Sequence, residues 1–303
     1  MQALYAMEKN PKEAFPASEK KLDKAIQNCY LLSVYFLALL PEIVRYRMLR
    51  LEEFKEKINP TKEDLDPNTK FIDNKVIKQI EENKSVQQFC VNHNVDWSNR
   101  YDFIAQIFHE IASSDSYPIY MNSPSQSYKE DKDFVIDILT KTFAESELLH
   151  WFLEEKNVHW FDDYNDALLI AYKNILNFTE NQSNETTLIP LFKNDEEITF
   201  YKDLFRKTAL HSAEYQKRID EKLQHWESER VMEIDTLLMK MAMCELTQFQ
   251  TIPVKVTINE YIELAKLYSS RKSGVFINGI LDTIIVDLKN EGLLNKMGRG
   301  LIN

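Results

Sequence analysis

Apolar residues recur along most of this chain at spacings of three and four, the period that lines one face of an α-helix. Between residues 18 and 58, Leu22, Ile26, Cys29, Leu32, Phe36 and Leu39 or Leu40 form one stripe, and Ile43, Met48, Leu51 and Phe54 a second. Pro41 lies between them and removes a ladder hydrogen bond, so the pattern predicts two helices broken there. A polar linker with two prolines, 59–70, precedes helices at about 72–94 and 99–113. The segment 113–131, SSDSYPIYMNSPSQSYKED, reads as a turn-rich loop and as the best internal boundary. Toward the C-terminus, Val231, Ile234, Leu238 and Met241 predict an amphipathic helix that ends by Thr247. Thr257-Ile258-Asn259-Glu260 has the form of a capping box, which starts the next helix near Ile258 and points Tyr261, Ile262, Leu264 and Ala265 inward. That helix stops within 269–273, where a serine can cap a last helix running from about Gly274 to Gly292, a residue suited to the left-handed turn past a helix end. The fold class is all-α, built as helical bundle lobes.

The chain also resembles itself. A shift of 66 positions gives nine identities over the 27 pairs from 134/200 to 160/226, including Asp137 with Asp203, Lys141 with Lys207, Ser146 with Ser212, and His159-Trp160 with His225-Trp226. Two readings stay open: 130–180 is a degenerate partial duplicate of 196–246, or two amphipathic helix pairs of similar composition align by chance.

Composition narrows the functional classes. With 44% apolar residues and only 5 glycines in 303, the chain is globular and skewed toward helix. Cys29, Cys90 and Cys244 are too far apart for a metal-ligand motif and read as free thiols in a reducing, cytoplasmic setting. No signal peptide opens the chain, and the apolar run 29–40 is too short to span a bilayer, so a membrane role is not expected. The six histidines are scattered, no phosphate-cradling glycine loop is present, and no nucleophile has a base and orienting acid at a recognisable spacing. Catalytic residues, metal and cofactors are therefore all expected to be none. The net charge of −11 is unevenly spread. Residues 1–195 hold 32 acidic and 22 basic side chains, whereas 196–303 hold 16 and 15, and from Pro253 onward there are 5 and 7. A local basic face can still bind phosphate, with an affinity that falls quickly as salt rises. The cluster Arg45, Arg47 and Arg50 reads as a solvated helix face paired with Glu42, Glu52, Glu53 and Glu56.

Two blocks near the C-terminus carry a more specific signal. Pro253, Val256, Ile258, Asn259, Glu260, Ile262, Glu263, Leu264, Ala265 and Lys266 are followed by Phe276, Ile277, Asn278, Gly279, Ile280, Leu281 and Asp282. In their order and separation these blocks resemble the NusB family of transcription antitermination factors, and Gln2-Ala3-Leu4-Tyr5 resembles the end of that family's first helix. The resemblance implies a core formed by 1–10 with 196–303, its C-terminal lobe at about 229–303, and an acidic helical insertion at 11–195. An arginine-rich arm usually precedes the first helix in the family, so the natural reading frame is expected to extend upstream of Met1 through basic codons.

The family's role implies that the protein is not an enzyme. It would bind a boxA-type single-stranded leader of ribosomal RNA together with NusE, a small-subunit ribosomal protein, and modify RNA polymerase in an antitermination complex. The RNA-binding candidates carried over are Tyr5, Lys240, Arg271, Lys272, Ser273 and Phe276. Arg271-Lys272-Ser273 stands where the family often has Glu-Asp-Ser, a swap that adds phosphate attraction. Phe276 reads equally well as core. Asp235 matches a carboxylate on the NusE-facing side, though an acid near a helix start is also favourable without any partner. The alternative is an acidic all-helical adaptor that keeps a NusB-like fold, docks proteins through 11–195 and binds no RNA.

Overall fold

The computed structural model describes residues 1–10, 12–223 and 231–301. The described residues form helices joined by links without regular structure, the longest of them 178–194, and contain no strand. In chain order the α-helices are α1 Gln2–Lys9, α2 Phe15–Lys55, α3 Lys62–Leu65, α4 Lys75–Glu82, α5 Lys84–His93, α6 Tyr101–Ser113, α7 Ser116–Asn122 and α8 Tyr128–Asp137. After a π-helical turn, Ile138–Phe143, come α9 Glu147–Lys156, α10 Trp160–Asn177, α11 Asp195–Leu210, α12 Ser212–Leu223, α13 Glu233–Gln248, α14 Val254–Tyr268 and α15 Ser273–Asn290. The chain divides into two compact units: Met1–Asp23 with Phe192–Asn303, and Lys24–Leu191.

In the second unit, the expected break at Pro41 does not occur. Helix α2 runs through the proline unbroken. Leu37, Leu39, Leu40 and Ile43 are all fully buried around it, and that apolar burial outweighs the one ladder bond the proline gives up. By length and composition α2 could cross a bilayer. Its apolar stretch, however, lies in a protein core, where Phe36 meets Phe143 and Tyr164 and the indole of Trp97 donates to the Tyr35 carbonyl at 3.1 Å. Asn83, whose side chain caps the start of α5, splits the single helix expected over 72–94 into α4 and α5.

The segment 113–131 is not a free loop either. It contains α7, and Tyr120 is buried with its hydroxyl donating to Asp131 at 2.7 Å. The buried Lys70 ammonium lies over the Tyr120 ring and pairs with Glu130 at 3.2 Å. This polar knot ties the segment into the same core as α4, which sequence periodicity alone does not reveal. Arg45 and Arg50 do pair with Glu42 and Glu53 along the face of α2, while Arg47 lies over the Phe108 ring. Cys29 and Cys90 are partly buried free thiols, pushed up to about 12 and about 11 by that burial, and Cys244 is buried and free.

The self-similar segments share a helix, break, helix outline. Asp137 pairs with Lys141, and at the shifted positions Asp203 pairs with Lys207 in the same way. Ser146 caps α9, and Ser212 opens α12. The outlines differ where 138–143 is π-helical and 204–209 is α-helical. His225 and Trp226 lie outside the described residues.

In the first unit, α13 is the hub. Leu237 through Leu246 are buried without interruption, so this helix is enclosed on all sides rather than carrying one apolar stripe. It packs against α1, α11, α12, α14 and α15. Leu4 of α1 belongs to the same core cluster as Phe205, Tyr215, Tyr261 and Ile277. Gly292 does take the left-handed conformation past α15, with φ of 70°.

Candidate nucleic-acid interface

Three polar residues are buried on the hub helix at intervals of five, and each fastens a different neighbour. Asp235 accepts hydrogen bonds from the hydroxyls of Ser269 and Ser273, the latter at 2.8 Å. Lys240 reaches Glu8 of α1 at 3.1 Å. Glu245 accepts from Thr257 at 2.8 Å and from Tyr261 at 3.2 Å, both on α14. Burial raises the Glu245 carboxyl above its usual range, and these two donors partly oppose the shift. Polar groups deep in a helical core persist only when partnered, and here each partner sits on the element that the hub must hold.

The bond to Glu245 explains why the capping box is absent. Thr257 is fully buried, with its hydroxyl committed to Glu245, and α14 begins earlier, with Pro253 at its N-cap position. A serine does not occupy the N-cap of α15 either. Lys272 stands there, while the Ser273 hydroxyl accepts from the Ser270 amide at 3.3 Å and donates to Asp235.

The consequence is a clamped turn. Ser269 and Ser273 flank Ser270-Arg271-Lys272, and both are held by the one carboxylate of Asp235. Arg271 and Lys272 are exposed at the apex, and neither makes an ion pair among the described residues. They stand at the N-terminus of α15, whose free amides add positive potential. Phe276, in the first turn of α15, is half-buried against the core of this unit. Tyr5 is also half-buried; its hydroxyl approaches Glu233 at 3.4 Å, and Lys9 lies over its ring.

Of the residues singled out in the sequence, Asp235 and Ser273 meet beside Arg271 and Lys272, and Tyr5 reaches Glu233 in the same first turn of α13. Lys240 lies further along α13, only 8% exposed and facing α1 rather than solvent. The partner residues Glu8 and Glu233 go unremarked in the sequence, and Ser269 is read there only as part of a helix stop and candidate cap. Only Glu8 carries a local hint, an acid within an otherwise apolar and basic first helix.

Residues 167–286 match the model of the NusB family. Over 114 residues the chain is 42% identical to a transcription antitermination protein NusB from Salinibacter ruber, covering 38% of this chain and 71% of that protein. This chain belongs to the NusB family. A NusB from Listeria welshimeri is 34% identical over 104 residues, 33% of this chain and 81% of that protein. Another, from Chloroherpeton thalassium, is 47% identical over 79 residues, 26% and 37%. No solved structure matches. The NusB match contains the whole of the clamped turn, with α13, α14 and most of α15.

Proposed function

We propose that this protein acts in transcription antitermination as a non-enzymatic binder of unpaired boxA-type leader RNA, jointly with a NusE-type ribosomal protein, within an RNA polymerase complex. The observation that carries this reading is the turn 270–272, which presents two exposed cations without internal partners on a rigid base. Arg271 and Lys272 are assigned to RNA phosphates, and the rings of Phe276 and Tyr5 to stacking against bases. Lys240, Ser273 and Asp235 act from behind: they fix α1 and the turn against α13. The burial of Asp235 favours this positioning role over a direct pair with a basic partner.

The RNA-binding part is proposed to be the lobe formed by 1–10 and 196–303, with 11–195 as an acidic addition. The first compact unit, with 21 acidic and 20 basic residues, is nearly neutral, so a local cationic corner there meets little long-range repulsion. The test is titration of a labelled boxA-type RNA at several salt concentrations, with and without the NusE-type protein. The proposal predicts salt-sensitive binding that tightens when the ribosomal protein is added. Binding of the ribosomal protein with no RNA affinity at any salt would favour the adaptor reading instead.

A further inference from the structure

The second compact unit carries 27 acidic against 17 basic residues, and much of that excess is concentrated at one place. Between 145 and 166 there are seven carboxylates and one cation, Lys156. This stretch comprises α9, its short link and the start of α10. The two helices lie side by side there: the His150 ring stacks on Tyr164 at 3.8 Å and meets Phe161 edge-on at 5.5 Å.

Large apolar side chains stand in solvent at this corner. Trp151 is 59% exposed, Val158 in the link 68%, and Phe161 57%. Leu169 and Leu176 continue the outer face of α10 at helical spacing from Phe161 and are also exposed. On α9 the sequence places Glu147 and Glu155 one turn either side of Trp151, and Glu154 beside them. A tryptophan and a phenylalanine exposed on neighbouring helices, in a stretch where carboxylates outnumber cations seven to one, are not explained by packing or by solubility, since either would be better served by polar residues. Aromatic anchors surrounded by charge are the usual core of a recognition surface.

From this juxtaposition we infer that the α9–α10 corner is a docking surface for a basic polypeptide with apolar anchors, such as a lysine- and arginine-rich amphipathic helix. The occupant follows from charge complementarity. Nucleic acid is disfavoured, because its phosphates would face the carboxylates at 147, 154 and 155. A second copy of this chain is disfavoured as well, because a two-fold contact would bring the same carboxylates against each other. A cationic partner neutralises the rim while its apolar side chains cover Trp151 and Phe161.

The full chain is titrated, by fluorescence anisotropy, with four labelled probes. These are a lysine/arginine-rich helical peptide with leucines at i, i+3, i+4 and i+7, the same peptide with serines for leucines, the same with glutamates for its cations, and a single-stranded oligoribonucleotide. Of the three peptides only the first is expected to bind well, with an affinity that falls with salt, and the oligoribonucleotide, which has its proposed site at the 270–272 turn, is expected not to displace it. The Trp151→Ala/Phe161→Ala variant weakens it at least about tenfold. The Glu147→Lys/Glu154→Lys/Glu155→Lys variant does the same, and melting curves establish that both variants stay folded. A lack of binding by the first peptide, equal binding by the serine peptide, or unchanged affinity in either folded variant overturns the inference. So does displacement of the peptide by RNA at this corner, or self-association of the chain that the aromatic substitutions abolish.

Discussion

The carboxylate of Asp235 receives the hydroxyl of Ser273 at 2.8 Å and the hydroxyl of Ser269 beside it, so one buried acid closes both ends of the Arg271-Lys272 turn. Replacing it with alanine removes the charged acceptor shared by the buried Ser273 hydroxyl and the half-buried Ser269 hydroxyl, which keep only their weaker bonds to each other and to Ser270 and Met232. Asp235→Ala is expected to lower unfolding free energy by about 2–3 kcal/mol, measured by urea denaturation. Asp235→Asn, which keeps an acceptor, should lose less. A charge reversal at this position therefore tests folding before it tests any partner.

The pair Lys240–Glu8 is lopsided, with side chains 10% and 37% exposed. Removing Glu8 leaves a buried ammonium without its counter-charge, whereas removing Lys240 leaves a carboxylate that water can reach. Glu8→Ala should thus cost about 2–3 kcal/mol, and Lys240→Met about 1 kcal/mol or less. Chemical denaturation of the two variants checks the order. Equal losses would mean that Lys240 reaches solvent in the folded protein.

Glu245 links the hub to α14 through Thr257 and Tyr261. Glu245→Ala should destabilise by about 2 kcal/mol. Glu245→Gln keeps an acceptor and removes a charge that burial disfavours. Because the folded carboxyl is raised, its protonated form is favoured by folding, and the native glutamate loses stability as pH rises through that raised value. The glutamine variant should therefore gain on the wild type as pH increases, read from denaturation midpoints across the pH range.

Asp163 on α10 is the second acid of this kind. Burial, then the neighbouring Asp166 and Asp162, push it from 3.8 to about 6. Its contribution is fully present below the ordinary value near 3.8 and is lost as pH rises through about 6. At neutral pH Asp163→Asn should be more stable than the wild type. Solvent screening at this half-buried site limits the gain to on the order of 1 kcal/mol. The advantage should vanish near pH 4, a range set by the ordinary carboxylate value. An unchanged difference at both ends of that range contradicts the assignment.

Helix content and the order of the last three helices were legible because their stripes repeat at the helical period and Gly292 punctuates the end. The misread boundaries share one cause, tertiary contacts that override local preference. Pro41 is carried inside α2 by buried neighbours, Thr257 is drawn from a cap to Glu245, and Tyr120 with Lys70 turns an apparent loop into core. At the candidate site, the exposed cations Arg271 and Lys272 could be picked out from residue type and family pattern. The inward aim of Asp235, Ser273 and Lys240 could not, because a charged residue on a helix gives no local sign that a hydroxyl or an opposite charge from a distant segment will meet it.

The most direct measurement is the slope of log affinity against log salt for boxA-type RNA, compared between the wild type and Arg271→Ala/Lys272→Ala. If both side chains neutralise phosphates of a single strand, the variant slope should be shallower by about 1.4, with folding unchanged. Parallel slopes at equal affinity would mean that this turn does not touch the RNA.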